Sequence, residues 1–443
     1  MYLLSVGVSV ACPSCSSAIY GASCVIRIEN VVRNIKLPSM QILKRTLCVV
    51  FLFAFFAASI SAAAPNTAKL AEVSKRMKAF VDDGTISGAV TLVARHDRIL
   101  SLDAVGLADL KAEKPMRPDN LFWIASMTKP ITAVAVLMLQ DEGKLKVEDT
   151  VEKYLPEFRN QWLIQERTSN SLTLTRPARP ITLRDLLTHT SGLGDVSSPR
   201  PDSTLAELVM AYAQQPLKFA PGSKWEYCNP GINTLGRIVE VVSGQKYEVF
   251  LDRRIFRPLG MKDTTFWPSS GQAKRLAKSY KPAKTGRGLE ETDIYFIKGG
   301  LSDRKRTPYP AGGLFSTAGD MARFYQMALN AGTFNGRKII SKESIDLMTR
   351  TQSGEIKTGF TDGMSWGFGF QVVKEPQGVT GMLSPGAFGH GGAYATQSWA
   401  DPKQDLILVL MIQRTGFPNG DASPVRKAFQ ETAVAAANEH EKD

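Results

Sequence analysis

The sequence predicts an α+β fold: a helix-flanked antiparallel sheet with an inserted helical lobe. Three observations predict it. Short apolar runs joined by tight polar turns stand early and late in the chain, at 88–105 and 394–412. Strands joined by tight turns pair antiparallel, and their apolar faces must be covered by helices. Between the two strand regions, residues 145–300 form a Pro-punctuated stretch with helical periodicity. The chain has 443 residues, 43% hydrophobic and 22% charged, which places it among globular rather than disordered proteins.

The elements follow in order. Leu70, Val73, Met77, Phe80 and Val81 share one face of a helix over 66–82. Residues 88–95 (GAVTLVAR) and 99–105 (ILSLDAV) read as paired strands about His96-Asp97-Arg98. A strong helix is expected over 127–142, with a stripe of Ile131, Val134, Ala135, Met138 and Leu139, stopped by Gly143. The lobe holds candidate helices at 181–188, 204–214, 231–243 and 246–254. After a helix near 317–330 come strand-like runs at 366–373 (WGFGFQVV), 394–400 and 405–412, the last two turning at Asp401-Pro402-Lys403-Gln404. Pro424 opens a final helix, where its missing N–H costs nothing.

The first 63 residues read as processing signals rather than fold. From Met40 the chain shows a basic head (Lys44, Arg45), an apolar run from Leu47 to Ala58, and small residues with Ser61 and Ala63 at the −3 and −1 positions of a cleavage site. Cutting after Ala63 avoids placing Pro65 next to the cut bond. The expectation is export, periplasmic or secreted, with 40–63 removed and 64–443 as the working domain. An uncleaved anchor is the other reading, but the run is short for a span of about 20 residues. Residues 1–39 are an upstream extension with no fold assigned, and Met40 as initiator stays open. Cys12, Cys15, Cys24 and Cys48 fall in this removable part, which leaves Cys228 alone and no internal disulfide.

The formal charge is +12. Residues 1–63 carry five basic side chains and one acid, so the domain from residue 64 keeps +8. The basic residues are scattered, with no aromatic-basic stripe, so no nucleic-acid partner is expected. Membrane contact is expected only through an uncleaved signal segment.

Several chemistries lack their residues. The four histidines, His96, His189, His390 and His440, have no metal-ligand spacing, so no metal and no cofactor is expected. The one G-x-S-x-G, Gly363–Gly367, leads into a strand-like run, whereas a nucleophile elbow leads from strand into helix. What remains is Ser-x-x-Lys. A serine and lysine three apart on a helix share a face, so the amine can sit beside the hydroxyl. The pattern occurs at Ser126–Lys129, Ser243–Lys246 and Ser302–Lys305. Ser243 sits beside Gly244 at a helix end, and Ser302 lies in the polar run SDRKR. Ser126 follows LFWIA and opens the strongest buried helix, with Pro130 where only a helix start tolerates it. Ser126 is the expected nucleophile.

FWIASMTKPITAVAVLMLQDEGKL resembles the nucleophile segment of class C β-lactamases, DD-peptidases and related serine esterases. LLTHTSGL (186–193), FAPGSKWEYCNPG (219–231), GGLFSTAGDMARF (312–324) and GFGF…FGHGGAYAT (367–396) are similar to that family's later blocks, in the same order. The likeness runs from about 68 to 435. It implies the same fold, a sheet with an inserted helical lobe.

Tyr227-Cys228-Asn229 is the only Tyr-x-Asn. A phenol beside a lysine cation is drawn towards phenolate, so Tyr227 is expected to serve as base to Ser126 and acid to the leaving group. The resemblance gives Tyr227 this role and gives Asn229 a hydrogen bond to the acyl side of the substrate. The family commonly carries Lys-Thr-Gly on a strand along the site. Lys284-Thr285-Gly286 and Lys357-Thr358-Gly359 are misplaced for it. The position that fits is His390-Gly391-Gly392, just before a strand expected to start at Ala393, with small glycines that let the strand pass close to substrate. The N–H groups of Ala393 and Ser126 then form the oxyanion hole. His390 in place of lysine carries a full charge only below about pH 6.5. Two readings of it stand equal: a selector of uncharged substrates, or a hydrogen-bonding partner of Tyr227 or a backbone carbonyl. His189 is expected to shape the lobe. Trp123 and Trp225 either wall an acyl pocket or fill the core.

The expected function is a serine acyl-hydrolase forming an acyl-Ser126 intermediate on a small-molecule ester or amide. Esterase-like action on small esters comes first. β-Lactamase or D-amino-acid peptidase action comes second. A catalytically silent ligand-binding member is the rival from another class.

Overall fold

The computed structural model describes residues 67–196, 200–295 and 297–438. The expected signal segment 40–63 and the extension 1–39 lie outside the described residues. The described residues belong to one compact unit.

Helix α1 spans Thr67–Asp82 and leads into strands β1 (Gly88–Ala94) and β2 (Ile99–Asp109), with β3 at Lys114–Pro115. The chain then leaves the sheet and returns with β4 (Met364–Trp366), β5 (Gln371–Val373), β6 (Phe388–Gly391), β7 (Gln397–Asp401) and β8 (Leu406–Met411). The sheet order is β4-β5-β6-β7-β8-β1-β2-β3, and every neighbouring pair is antiparallel. The early and late strand regions meet in the β1–β8 pair, where Val90 faces Met411 and Leu92 faces Val409.

Both faces of that central pair are buried, which is why its strands read as continuous apolar runs. Val90, Leu92, Val409 and Met411 join the core shared with the inserted segment. Ala89, Val93, Leu408 and Leu410 join a second core, under α1 and the C-terminal helix α6 (Pro424–Asn438). Between β3 and β4 lie α2 (Thr128–Asp141), α3 (Leu205–Ala213), α4 (Asn229–Ser243) and α5 (Ala318–Leu329). Helix α5 packs on β8, β1 and β7. Helix α2 is buried from Thr128 to Leu139 and packs on α4, so the expected nucleophile segment runs through the middle of the molecule.

Three details differ from the sequence reading. The run WGFGFQVV is two strands, because Gly367–Phe370 forms a turn closed by a Gly367 N–H to Phe370 O bond of 2.9 Å. That turn lies on α2: a Cβ on Gly369 would meet the Ala133 methyl at 2.7 Å. No strand starts at Ala393. His390 and Gly391 end β6, and Ala393 sits in the turn before β7. The inserted segment also holds two small hairpins, at Leu163–Arg167 with Leu172–Thr175 and at Tyr280–Pro282 with Leu289–Glu291. Their strands are only three to five residues long, which hides them among the helices.

Candidate active site

Ser126 stands on a single 3₁₀ turn, Ala125–Met127, that runs directly into α2. Ala125 holds the left-handed conformation, φ 46°, which an L-residue adopts at a cost of about 1–2 kcal/mol. That bend sends the chain from the buried Phe122–Trp123 strand into the helix and leaves Ser126 half-buried between buried Ala125 and Met127. Pro130 falls in the first turn of α2, where no N–H is required.

Lys129 lies one turn on, fully buried. Its Nζ donates to Ser126 Oγ at 3.1 Å and to the Ala311 carbonyl at 2.6 Å. The same nitrogen sits 4.6 Å from the centre of the Tyr227 ring. No carboxylate pairs with it among the described residues, and burial pushes the amine well below the ordinary lysine range. Ala311 is itself held: its N–H donates to Asn233 Oδ1 at 3.0 Å, and Asn233 Nδ2 donates to the Tyr212 hydroxyl at 3.0 Å. Asn233 and Ala311 were not expected from the sequence. The available signal is an asparagine one turn after Asn229 in the same helix.

Tyr227 is half-buried and hydrogen-bonded to the Ser126 side chain. Burial raises its hydroxyl above the usual phenol range, while the bond to Ser126 works the other way. The expected pull of a lysine cation towards phenolate therefore meets a stronger opposing effect. Burial favours neutral phenol and neutral amine together. Cys228 follows as the N-cap of α4, its Sγ accepting the Gly231 N–H at 3.3 Å, and burial lifts the thiol to about 11.

His189 supports this segment. Its Nδ1 accepts the Cys228 N–H at 3.0 Å, and its ring lies 4.7 Å from the Tyr227 ring. Trp366 (4.9 Å) and Trp225 (6.1 Å) complete the stack. The expectation that His189 shapes the lobe thus becomes specific: it holds the backbone next to Tyr227. Of the two tryptophans, Trp123 is buried, with its Nε1 donating to Gly312 O at 2.7 Å. Trp225 is half-exposed and forms an aromatic wall with Phe360 beside Tyr227.

His390 is buried on β6, paired with Ser398. Its Nδ1 lies 2.7 Å from the Gly391 carbonyl. A carbonyl only accepts, so the proton is on Nδ1 and Nε2 keeps its lone pair. Burial first, and the Lys129 charge second, push the imidazole down to about 3. Its ring is 6.2 Å from that of Tyr227. Of the two readings, the structure displays the backbone-carbonyl bond, and it also makes His390 a neutral side chain.

Gly391 and Gly392 are small because the protein itself crowds them. A Cβ on Gly391 would meet Asp421 Oδ1, and one on Gly392 would lie 2.6 Å from the Ile124 carbonyl. The turn after β6 therefore lies against the residues that lead into Ser126. Ala393 is exposed in that turn. Among the described residues, neither its N–H nor that of Ser126 is bonded to a protein acceptor.

Asn229 opens α4 and lines a cavity of about 520 Å³ with Tyr212, Asn233, Tyr295 and Tyr309. The charged residues on this cavity, Arg200, Lys298, Arg306 and Asp195, are of both signs. The other serines stand apart. Ser243 ends α4 before the left-handed Gly244, Ser302 Oγ donates to the Pro268 carbonyl at 2.5 Å, and buried Ser365 meets Ser353 at 3.2 Å.

Residues 73–431 match the family model described as Beta-lactamase. The chain belongs to the β-lactamase family. Protein Rv1367c of Mycobacterium tuberculosis (strain ATCC 25618 / H37Rv) is 36% identical over 363 residues, covering 75% of this chain and 87% of that protein. Esterase EstB of Burkholderia gladioli is 31% identical over 401 residues, 82% of this chain and 96% of its own. Among solved structures, that of EstCE1, a hydrolase with promiscuous acyltransferase activity, superposes with a TM-score of 0.67 at 24% identity, over 83% of this chain and 98% of that one. The β-lactamase-family fold thus accounts for nearly the whole chain after the first 72 residues.

Proposed function

We propose that this β-lactamase-family serine hydrolase cleaves small uncharged esters through an acyl-Ser126 intermediate. The observation that carries the reading is the Lys129 amine, 3.1 Å from Ser126 Oγ and buried without a carboxylate. Burial favours the neutral amine, which can accept a proton, so Lys129 takes the Ser126 proton as the oxygen attacks the ester carbonyl. The tetrahedral oxyanion is received by the N–H groups of Ser126 and Ala393. Tyr227, hydrogen-bonded to Ser126, passes a proton to the leaving alkoxide. Water then cleaves the acyl-enzyme by the reverse relay. Asn229 bonds the acyl side, whose substituent occupies the cavity next to it. No cofactor enters.

The preference for uncharged esters rests on His390. With its imidazole pushed down to about 3, it offers no cation to a substrate carboxylate at neutral pH. The relative named esterase EstB agrees with an ester substrate. A silent ligand-binding role is disfavoured by the close Ser126, Lys129 and Tyr227 contacts. The test is a parallel rate comparison on p-nitrophenyl acetate, a chromogenic cephalosporin and a D-Ala-D-Ala peptide. The ester should be turned over fastest. A faster lactam or peptide would transfer the assignment to the amide-cleaving alternative.

We also propose export with cleavage after Ala63, from the pattern of residues 40–63. N-terminal sequencing of the native product checks it. A start at Met1, or recovery of the uncleaved chain in membranes, would contradict it.

A further inference from the structure

Outside the site, one surface stands out, and it is one of the hairpins the sequence hid. Leu163–Arg167 pairs with Leu172–Thr175 and with no strand of the main sheet. Its turn is closed by Thr168 N–H to Ser171 O at 3.0 Å and by the two side-chain hydroxyls at 2.8 Å, so it is a built element. It is tied to the body along one edge. Leu217 N–H donates to Trp162 O at 2.7 Å, Ile164 N–H donates to Leu217 O at 2.9 Å, and Leu163 packs on the core.

Its outer face is apolar. Residues opposite one another in an antiparallel pair point to the same side, as do residues two apart. Ile164 faces Leu174 and Arg167 faces Leu172. One face therefore carries Trp162, Ile164, Leu172 and Leu174, with Arg167 at one end and Arg176 at the other. Trp162, Leu172 and Leu174 are 46%, 44% and 37% exposed. The Arg176 guanidinium stacks on Trp162 at 3.4 Å. Among the described residues, Arg159, Arg167 and Arg176 form no ion pair, whereas Arg179 is held by Asp185.

We propose that this hairpin docks on an anionic phospholipid surface, with the Trp162–Leu174 face entering the headgroup region and Arg159, Arg167 and Arg176 meeting lipid phosphates. Tryptophan with flanking arginine is the chemistry of a membrane–water interface, and each basic residue near an anionic leaflet is attracted to it. The charge is complementary as well: residues from 64 onward carry a net +8. A second copy is a poor occupant on two counts. Like charges repel, and a face of about 17 Å by about 10 Å is far short of the ~800 Å² per partner of a stable interface. This contact is separate from any that the apolar run at 47–58 could make, and it does not depend on the catalytic reading.

The test uses the full chain with vesicles of phosphatidylcholine alone and of phosphatidylcholine with phosphatidylglycerol. Sedimentation should show binding to the anionic vesicles and little to the neutral ones. Leu172→Ser/Leu174→Ser/Arg176→Ser should weaken it by at least about tenfold while ester turnover in solution stays at the wild-type rate. Brominated lipid should quench a component of the fluorescence that Trp162→Phe removes. Equal binding by wild type and triple variant would overturn the proposal, because another segment would then be the anchor. Equal binding to neutral vesicles, no binding to anionic ones, quenching unchanged in Trp162→Phe, or a dimer that only the triple variant loses would each overturn it as well.

Discussion

His189 holds the backbone next to Tyr227: its Nδ1 accepts the Cys228 N–H at 3.0 Å while its ring lies 4.7 Å from the phenol ring. The residue adopts the left-handed conformation, φ 60°, which asparagine tolerates better than most side chains. His189→Ala leaves the buried N–H unpaired and strains the backbone, so kcat should fall about tenfold or more, with KM less affected. His189→Asn keeps both an acceptor and the backbone preference, and should recover much of the loss. Steady-state kinetics of the two variants decide it. Equal loss in both would mean that the ring stack, not the hydrogen bond, does the positioning.

The pH profile follows from Lys129. Its folded-state pKa is lowered by burial, and in the proposed mechanism the neutral amine is the working form. The rate therefore holds above that lowered pKa and falls as pH drops through it. His390 titrates near 3 and should add no limb between about pH 5 and 8. Asn233→Asp would set a carboxylate on the N–H of Ala311, the residue whose carbonyl holds Lys129. A nearby negative charge favours the ammonium, so the acid limb of kcat/KM should move to higher pH. A limb that stays in place would show that Lys129 is not the titrating group.

Substrate charge is the third expectation. His390→Lys should shift the ratio of kcat/KM towards a carboxylate-bearing lactam by about tenfold, the worth of one charge-assisted hydrogen bond. Tyr227→Phe should lower ester and lactam rates together. If His390→Lys destroys both equally, His390 belongs to the proton path.

Much of this was legible because it is periodic. Ser126 and Lys129 share a face by helical spacing alone, and β1 and β8 show themselves as doubly buried apolar runs. Tyr227 needed the resemblance, since a tyrosine before a helix has no local signature. What stayed hidden depends on long-range contact. Asn233 and Ala311 position Lys129 through bonds between distant segments, and the resting state of the Lys129–Tyr227 pair is set by burial. The strand expected at Ala393 was misplaced because Phe388–Gly391, rich in glycine, carries little strand propensity. WGFGFQVV looked like one strand because the need for Gly369 to lie against Ala133 is invisible until α2 is in place.

The central claim is that Ser126 is the acylated nucleophile, and peptide mapping after a fluorophosphonate probe tests it most directly. The adduct should fall on the peptide containing Ser126, should disappear with turnover in Ser126→Ala, and should persist with near-wild-type rates in Ser243→Ala, Ser302→Ala and Ser365→Ala. An adduct on any other serine, or a fully active Ser126→Ala, would contradict the account.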